Sequence, residues 1–125
     1  MRPATRAWLT KATGDRDTAE REFRVRRRPN YDAVCFHAQQ SIEKCLKAML
    51  TERGRPFPKI HDLIKLGERC FDVVPHLRLS GDDLDLLSRY AVTFRYPGES
   101  AMKRDARAAL QAMRRLWVVL EASFT

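Results

Sequence analysis

CFHAQQSIEKCLKAML, residues 35–50, is the stretch around which the chain is organised. It contains no Gly or Pro, and helix-favouring Ala, Gln, Glu, Lys, Leu and Met fill most of it. Phe36, Ala38, Ile42, Cys45, Leu46 and Met49 recur at steps of three and four, which predicts one apolar stripe on a helix. Beside the stripe lie Gln40, Glu43, Lys44 and Lys47, close enough in helical register for their side chains to meet. One reading makes this polar seam a solvated face carrying an i,i+4 Glu43–Lys47 pair. The other makes it a functional surface next to the core.

Breaks on either side set the length of this helix. Arg26, Arg27, Arg28 and Pro29 precede it, and Asn30 suits the N-cap with Asp32 in the first turn. Gly54 suits the position just past its end, and Pro56 and Pro58 follow. The predicted helix therefore spans about Tyr31 to Arg53. An earlier helix is expected from about Thr5 to Val25, with Trp8, Ala12, Asp15, Ala19 and Phe23 on one face. Asp15 in that face needs a partner, such as a cation on the second helix, unless it sits at the stripe's margin. A short third helix is expected over about His61 to Phe71. A fourth opens with Ser80 as cap, Asp83 completing the box, and runs to about Thr93. Arg95-Tyr96-Pro97-Gly98 breaks it. Ser100 can cap a last helix over about Ala101 to Ser123, whose stripe is Ala106, Leu110, Met113, Trp117 and Leu120. No segment shows a strand pattern, so the expected class is all-α, in one domain over residues 1–125.

Composition sets the outer bounds. With 44% apolar and 32% charged residues the chain reads as globular. It has no apolar run of about 18 residues and no leader-like N-terminus, so the expectation is a cytoplasmic protein without membrane contact. Cys35, Cys45 and Cys70 lack zinc-ligand spacing and are expected as reduced core residues; no metal and no cofactor are expected. The net charge of +8 lies wholly at the ends. Residues 1–30 carry nine Lys/Arg against four Asp/Glu, residues 101–125 five against two, and residues 31–100 ten against ten. If the terminal segments lie side by side, they make a basic surface that attracts RNA, DNA or an acidic protein. There is no P-loop, GxGxxG or Ser–His–Asp pattern.

Taken together, these residues resemble the HEPN domain family. The resemblance rests on Trp8, Ala12, Asp15 and Ala19; on Phe36-His37-Ala38-Gln39-Gln40 with Glu43-Lys44 and Lys47-Ala48; and on His61-Asp62-Leu63 and Arg95-Tyr96-Pro97. It implies an antiparallel up-and-down bundle of four to five helices, usually a homodimer. Bacterial members are often encoded beside a minimal nucleotidyltransferase in toxin–antitoxin-like modules, where the HEPN protein is commonly a metal-independent ribonuclease. The signature of that activity is an Arg followed four to six residues later by His near a late helix. Here Arg95 is followed by YPGESAMKR, without His. The nearest formal match is Arg55 with His61, on an earlier loop.

Three readings follow from the resemblance. In the first, the chain is the HEPN component of such a module and binds its partner, and nucleotide or RNA, through Lys44, Lys47, Arg95 and Tyr96. An Arg fork suits phosphate and a Tyr ring stacks on a base. In the second, it is a ribonuclease using Arg55 and His61. In the third, it is a non-catalytic dimeric scaffold, with Asp15, Gln40 and Glu43 as a structural seam and Arg95 locking the bundle against Asp15 or Glu43. His37 is read as a packed or surface residue, and His76 as exposed.

Overall fold

The structure, a computed structural model, describes residues 1–124. They form five helices: α1 (Pro3–Phe23), α2 (Tyr31–Glu52), α3 (Leu63–Val73), α4 (Gly81–Thr93) and α5 (Lys103–Ser123). No strand occurs among the described residues. The helices make an antiparallel up-and-down bundle of the all-α class.

The helix built on residues 35–50 is the hub. α2 packs against each of the other four helices, and 13 of its 22 residues are buried. A single amphipathic stripe cannot satisfy that many neighbours, so burial extends round the helix and includes the polar Gln39, Ser41, Glu43 and Lys47. Phe36 is the exception within the expected stripe. It is 39% exposed, because it falls on a different side of α2 from fully buried Ala38 and Ile42. Val34 and Cys35 occupy the inward positions at that end instead.

The ends of α2 follow the local chemistry of the sequence. The Asn30 side chain accepts the Ala33 N–H at 3.0 Å. At the other end Gly54 adopts φ 67°, the left-handed region that Gly enters without steric cost. The Arg55 N–H then reaches the Leu50 carbonyl at 2.8 Å and the Gly54 N–H the Thr51 carbonyl at 3.0 Å, the paired bonds of a Schellman turn.

Three helix starts differ from expectation. α1 starts two residues early, at Pro3, whose missing N–H costs nothing in a first turn. Glu52 then ties this end to α2 by accepting from the Arg2 N–H at 3.0 Å and the Thr5 hydroxyl at 2.9 Å. α3 starts at Leu63, because the Asp62 carboxylate accepts from the Ile64 and Lys65 N–H groups at 2.9 and 3.3 Å. His61 is thereby left outside the helix. α5 starts at Lys103 with Met102 at the N-cap, and Ser100 caps nothing. The Met102 N–H goes to Asp105 at 2.8 Å, and the Ala101 N–H to Asp32 of α2 at 2.6 Å. Ser80 does cap α4, accepting from the Asp83 N–H at 3.2 Å.

Two carboxylate clusters and an aromatic groove

The polar residues beside the core stripe form two clusters of like composition, each a carboxylate holding one Lys and one His. In the first, Asp15 of α1 receives the Lys44 ammonium at 2.6 Å and the His37 Nδ1 at 2.8 Å, both from α2. This is how a carboxylate fits between fully buried Ala12 and Ala19. In the second, Glu43 receives the Lys47 ammonium at 3.0 Å, the Gln39 amide at 3.0 Å, and the His61 Nδ1 at 3.0 and 3.1 Å from its two oxygens. The Gln39 amide also reaches the His61 carbonyl at 3.3 Å, and Gln40 donates to the Gln39 oxygen at 2.8 Å. A carboxylate only accepts, so each histidine carries its proton on Nδ1 and turns Nε2 away from the carboxylate.

The Glu43–Lys47 pair exists, but not on a solvated face. Their residues are 3% and 8% exposed. Trp8 and Phe57 cover the ammonium, with ring centroids 5.6 and 5.8 Å from Nζ, and the two rings meet edge to face at 6.0 Å. Lys44 and Lys47 thus spend their charge on internal carboxylates.

Arg95 and Tyr96 stand apart from both clusters. Arg95 pairs with neither Asp15 nor Glu43, and no hydrogen bond or ion pair engages its side chain among the described residues. It lines a groove of about 300 Å³ between α2 and the end of α4. Phe36, Tyr90 and Phe94 give that groove aromatic walls, and His37 lines it too. The Tyr90 and Phe94 rings meet at 5.2 Å, and the Tyr90 hydroxyl donates to Asp105 at 3.4 Å. Burial, then the Asp105 charge, pushes the Tyr90 phenol up. Tyr96, next in sequence to Arg95, is 60% exposed and does not line the groove. Periodicity alone does not reveal this groove. Phe36 reads as core, and Tyr90 and Phe94 carry no motif.

Arg55 and His61 make no contact with each other among the described hydrogen bonds. The Arg55 N–H closes the end of α2, whereas His61 reaches over Glu43. The His61 side chain is 71% exposed above a carboxylate that is 4% exposed. The three cysteines are buried, and burial pushes each thiol up to about 12, far from thiolate chemistry. Among the described residues no group of three or more His, Cys, Asp or Glu is placed to hold a metal ion. No helix among them is long and apolar enough to cross a membrane.

The basic terminal segments do meet. Arg114 of α5 grips Glu20 of α1 with two bonds, at 2.7 and 2.6 Å, and this holds the Glu20 carboxyl below its usual range. Arg16 lies 4.4 Å from the Trp117 ring centroid and Arg107 lies 5.7 Å from that of Phe23.

Comparison with known proteins places this architecture. The HEPN domain profile matches residues 5–122. TT1696 from Thermus thermophilus superposes with a TM-score of 0.78 at 24% identity, over 94% of this chain and 96% of that one. ST0689, an archaeal HEPN homologue, does so with a TM-score of 0.69 at 19% identity, over 97% and 98%. At such identities the likeness speaks for the fold. No curated protein matches the sequence.

Proposed function

The chain belongs to the HEPN domain family, and from that premise we propose that it is the binding component of a two-gene HEPN/nucleotidyltransferase module, a homodimer that takes nucleotide or RNA in the α2–α4 groove. One observation carries this reading: Arg95, a guanidinium without a partner among the described residues, borders a groove walled by Phe36, Tyr90 and Phe94. Aromatic faces accept stacked bases, and a free guanidinium matches a phosphate in geometry and charge. Tyr96, exposed and next to Arg95 in sequence, offers a further ring for stacking. Lys44 and Lys47 support the site indirectly, by holding the carboxylates that position α1, α2 and His37. The test is a titration of fluorescent single-stranded RNA, and separately of ATP, into wild type and Arg95→Ala at about 50 mM salt. Arg95→Ala is expected to weaken binding about tenfold, the worth of one charge-assisted contact. Equal affinities for wild type and variant would refute the reading.

A second reading, metal-independent RNA cleavage, is favoured by the two imidazoles fixed at Nδ1 by carboxylates. That arrangement orients a proton acceptor. Degradation of RNA in EDTA, lost in His37→Ala or His61→Ala, would support it and show which cluster serves. A folded wild type that leaves RNA intact would remove it.

A further inference from the structure

A second, longer depression shares no lining residue with the Arg95 groove. Two cavities, about 520 and 570 Å³, lie along the α3–α4 seam and have Ile64 as a common wall. Together they extend along α4 from Gly81 to Thr93, and 13 helical residues span roughly 20 Å. The first cavity has an apolar floor of Leu77, Leu79 and Leu84, and the second contributes Ile64 and Val92 among Ser88 and Thr93. Leu84 lies beneath, close enough to α3 that a side chain at Gly67 would meet its Cδ1 at 3.1 Å. Phe71 and Val92, one in each cavity, stand open to solvent, 49% and 58% exposed. With Ile64 shared between the cavities, these two side chains give an apolar partner face one anchor point in each.

The rim decides the chemistry of the occupant. Glu68 and Asp72 line one cavity, Asp62 and Asp85 the other. Among the described residues Arg89 is the one Lys or Arg lining either cavity, and it is spent on Asp85 at 2.7 Å. Lys65 and Arg69 belong to α3 but line neither cavity, and Arg78 lies over the Phe71 ring at 5.8 Å. A carboxylate-rimmed apolar groove on a chain of net charge +8 is a local reversal of the molecule's field.

We propose that the α3–α4 groove is a docking surface for a cationic amphipathic helix of a partner protein. Apolar side chains at steps of three and four would fill the floor, and flanking Lys or Arg would meet Glu68 and Asp72, with the α3-capping Asp62 adding negative charge further along and Asp85 already paired with Arg89. At roughly 20 Å the groove matches about four turns of such a helix. This surface is separate from the groove assigned above to nucleotide or RNA, so either assignment can fail alone.

The test uses a labelled helical peptide of about 18 residues, with Leu on one face and Lys on its flanks, and the same peptide with Glu in place of Lys. Fluorescence anisotropy is measured on the full chain. The Lys peptide is expected to bind at least about tenfold tighter than the Glu peptide, and to weaken as salt rises. Phe71→Asp, and the double variant Glu68→Lys with Asp72→Lys, are each expected to weaken it about tenfold with circular dichroism unchanged. Arg95→Ala is expected to leave it unchanged. Equal binding of the two peptides, or full affinity in the charge-reversed variant, would overturn the proposal. So would concentration-dependent self-association abolished by Phe71→Asp, which would give the groove to a second copy of the chain.

Discussion

The two carboxylate clusters on α2 have the same parts and opposite settings. Asp15, Lys44 and His37 have side chains 12%, 23% and 30% exposed, so the whole cluster lies at the edge of the α1–α2 contact. The Glu43 and Lys47 side chains are 4% and 10% exposed, with that of His61, 71% exposed, as the cover between them and solvent. Composition alone does not distinguish the clusters. Depth does, because the cost of an unpaired charge rises steeply as water is excluded. The deep cluster is therefore committed to holding α2 together with α1 and the loop before α3. The shallow one can also place His37 on the wall of a groove.

The sharpest way to break this contrast is to remove one charge from each. Lys47→Ala or Glu43→Ala strands a buried charge and should cost about 3–5 kcal/mol in urea unfolding. Asp15→Ala, at the more hydrated site, should cost about 1.5–3 kcal/mol. If the two losses were equal, depth would not be what separates the clusters. Replacing Glu43 and Lys47 together by Leu and Met should recover most of the single-variant loss, since apolar side chains of similar volume do well where an ion pair was buried.

A smaller effect separates the histidines. His61→Gln leaves Glu43 with Lys47 and Gln39, so stability should fall by less than about 1.5 kcal/mol, measured by the same unfolding. The smallest effect belongs to Arg95, whose side chain makes no ion pair or hydrogen bond among the described residues. Arg95→Ala should leave stability within about 0.5 kcal/mol while weakening the nucleotide or RNA affinity. A large stability loss would make Arg95 a lock of the bundle after all.

The cysteines add a pH dependence with a definite sign. Their folded-state thiols titrate at about 12, against about 8.5 when unfolded. Their contribution to stability is present in full below pH about 8.5 and is lost as pH rises toward about 12. Thermal unfolding across that window should show the decline, and a triple Ala variant should show less of it.

Most of the fold was legible because its signals are local. Asn30, Gly54 and Ser80 act on neighbouring backbone groups, so a reading of neighbours finds them. What the sequence hides comes from distant partners. At the start of α5 Asp105 takes the Met102 N–H locally, but Asp32 of α2 takes the Ala101 N–H, and Ser100 is left an idle cap. The burial of Lys47 depends on Trp8 and Phe57, which flank α2 in sequence but enclose its ammonium only in three dimensions. His61 appears six residues after Arg55 and so suggests a pair, yet Glu43 is the group it meets. The Arg95 groove is the least legible feature, since Tyr90 and Phe94 stand four residues apart but only the fold brings Phe36 of α2 to them.

The central claim is that ligand contact belongs to the α2–α4 groove, while the lysines beside the core serve the fold. Titration of isotope-labelled protein with AMP, followed by amide and imidazole chemical shifts, tests it most directly. The expected result is shifts concentrated at Phe36, His37, Tyr90, Phe94 and Arg95, with Lys47 and His61 unmoved. Shifts centred on Arg55, Lys47 and His61 would contradict the claim and move the site to the deep cluster.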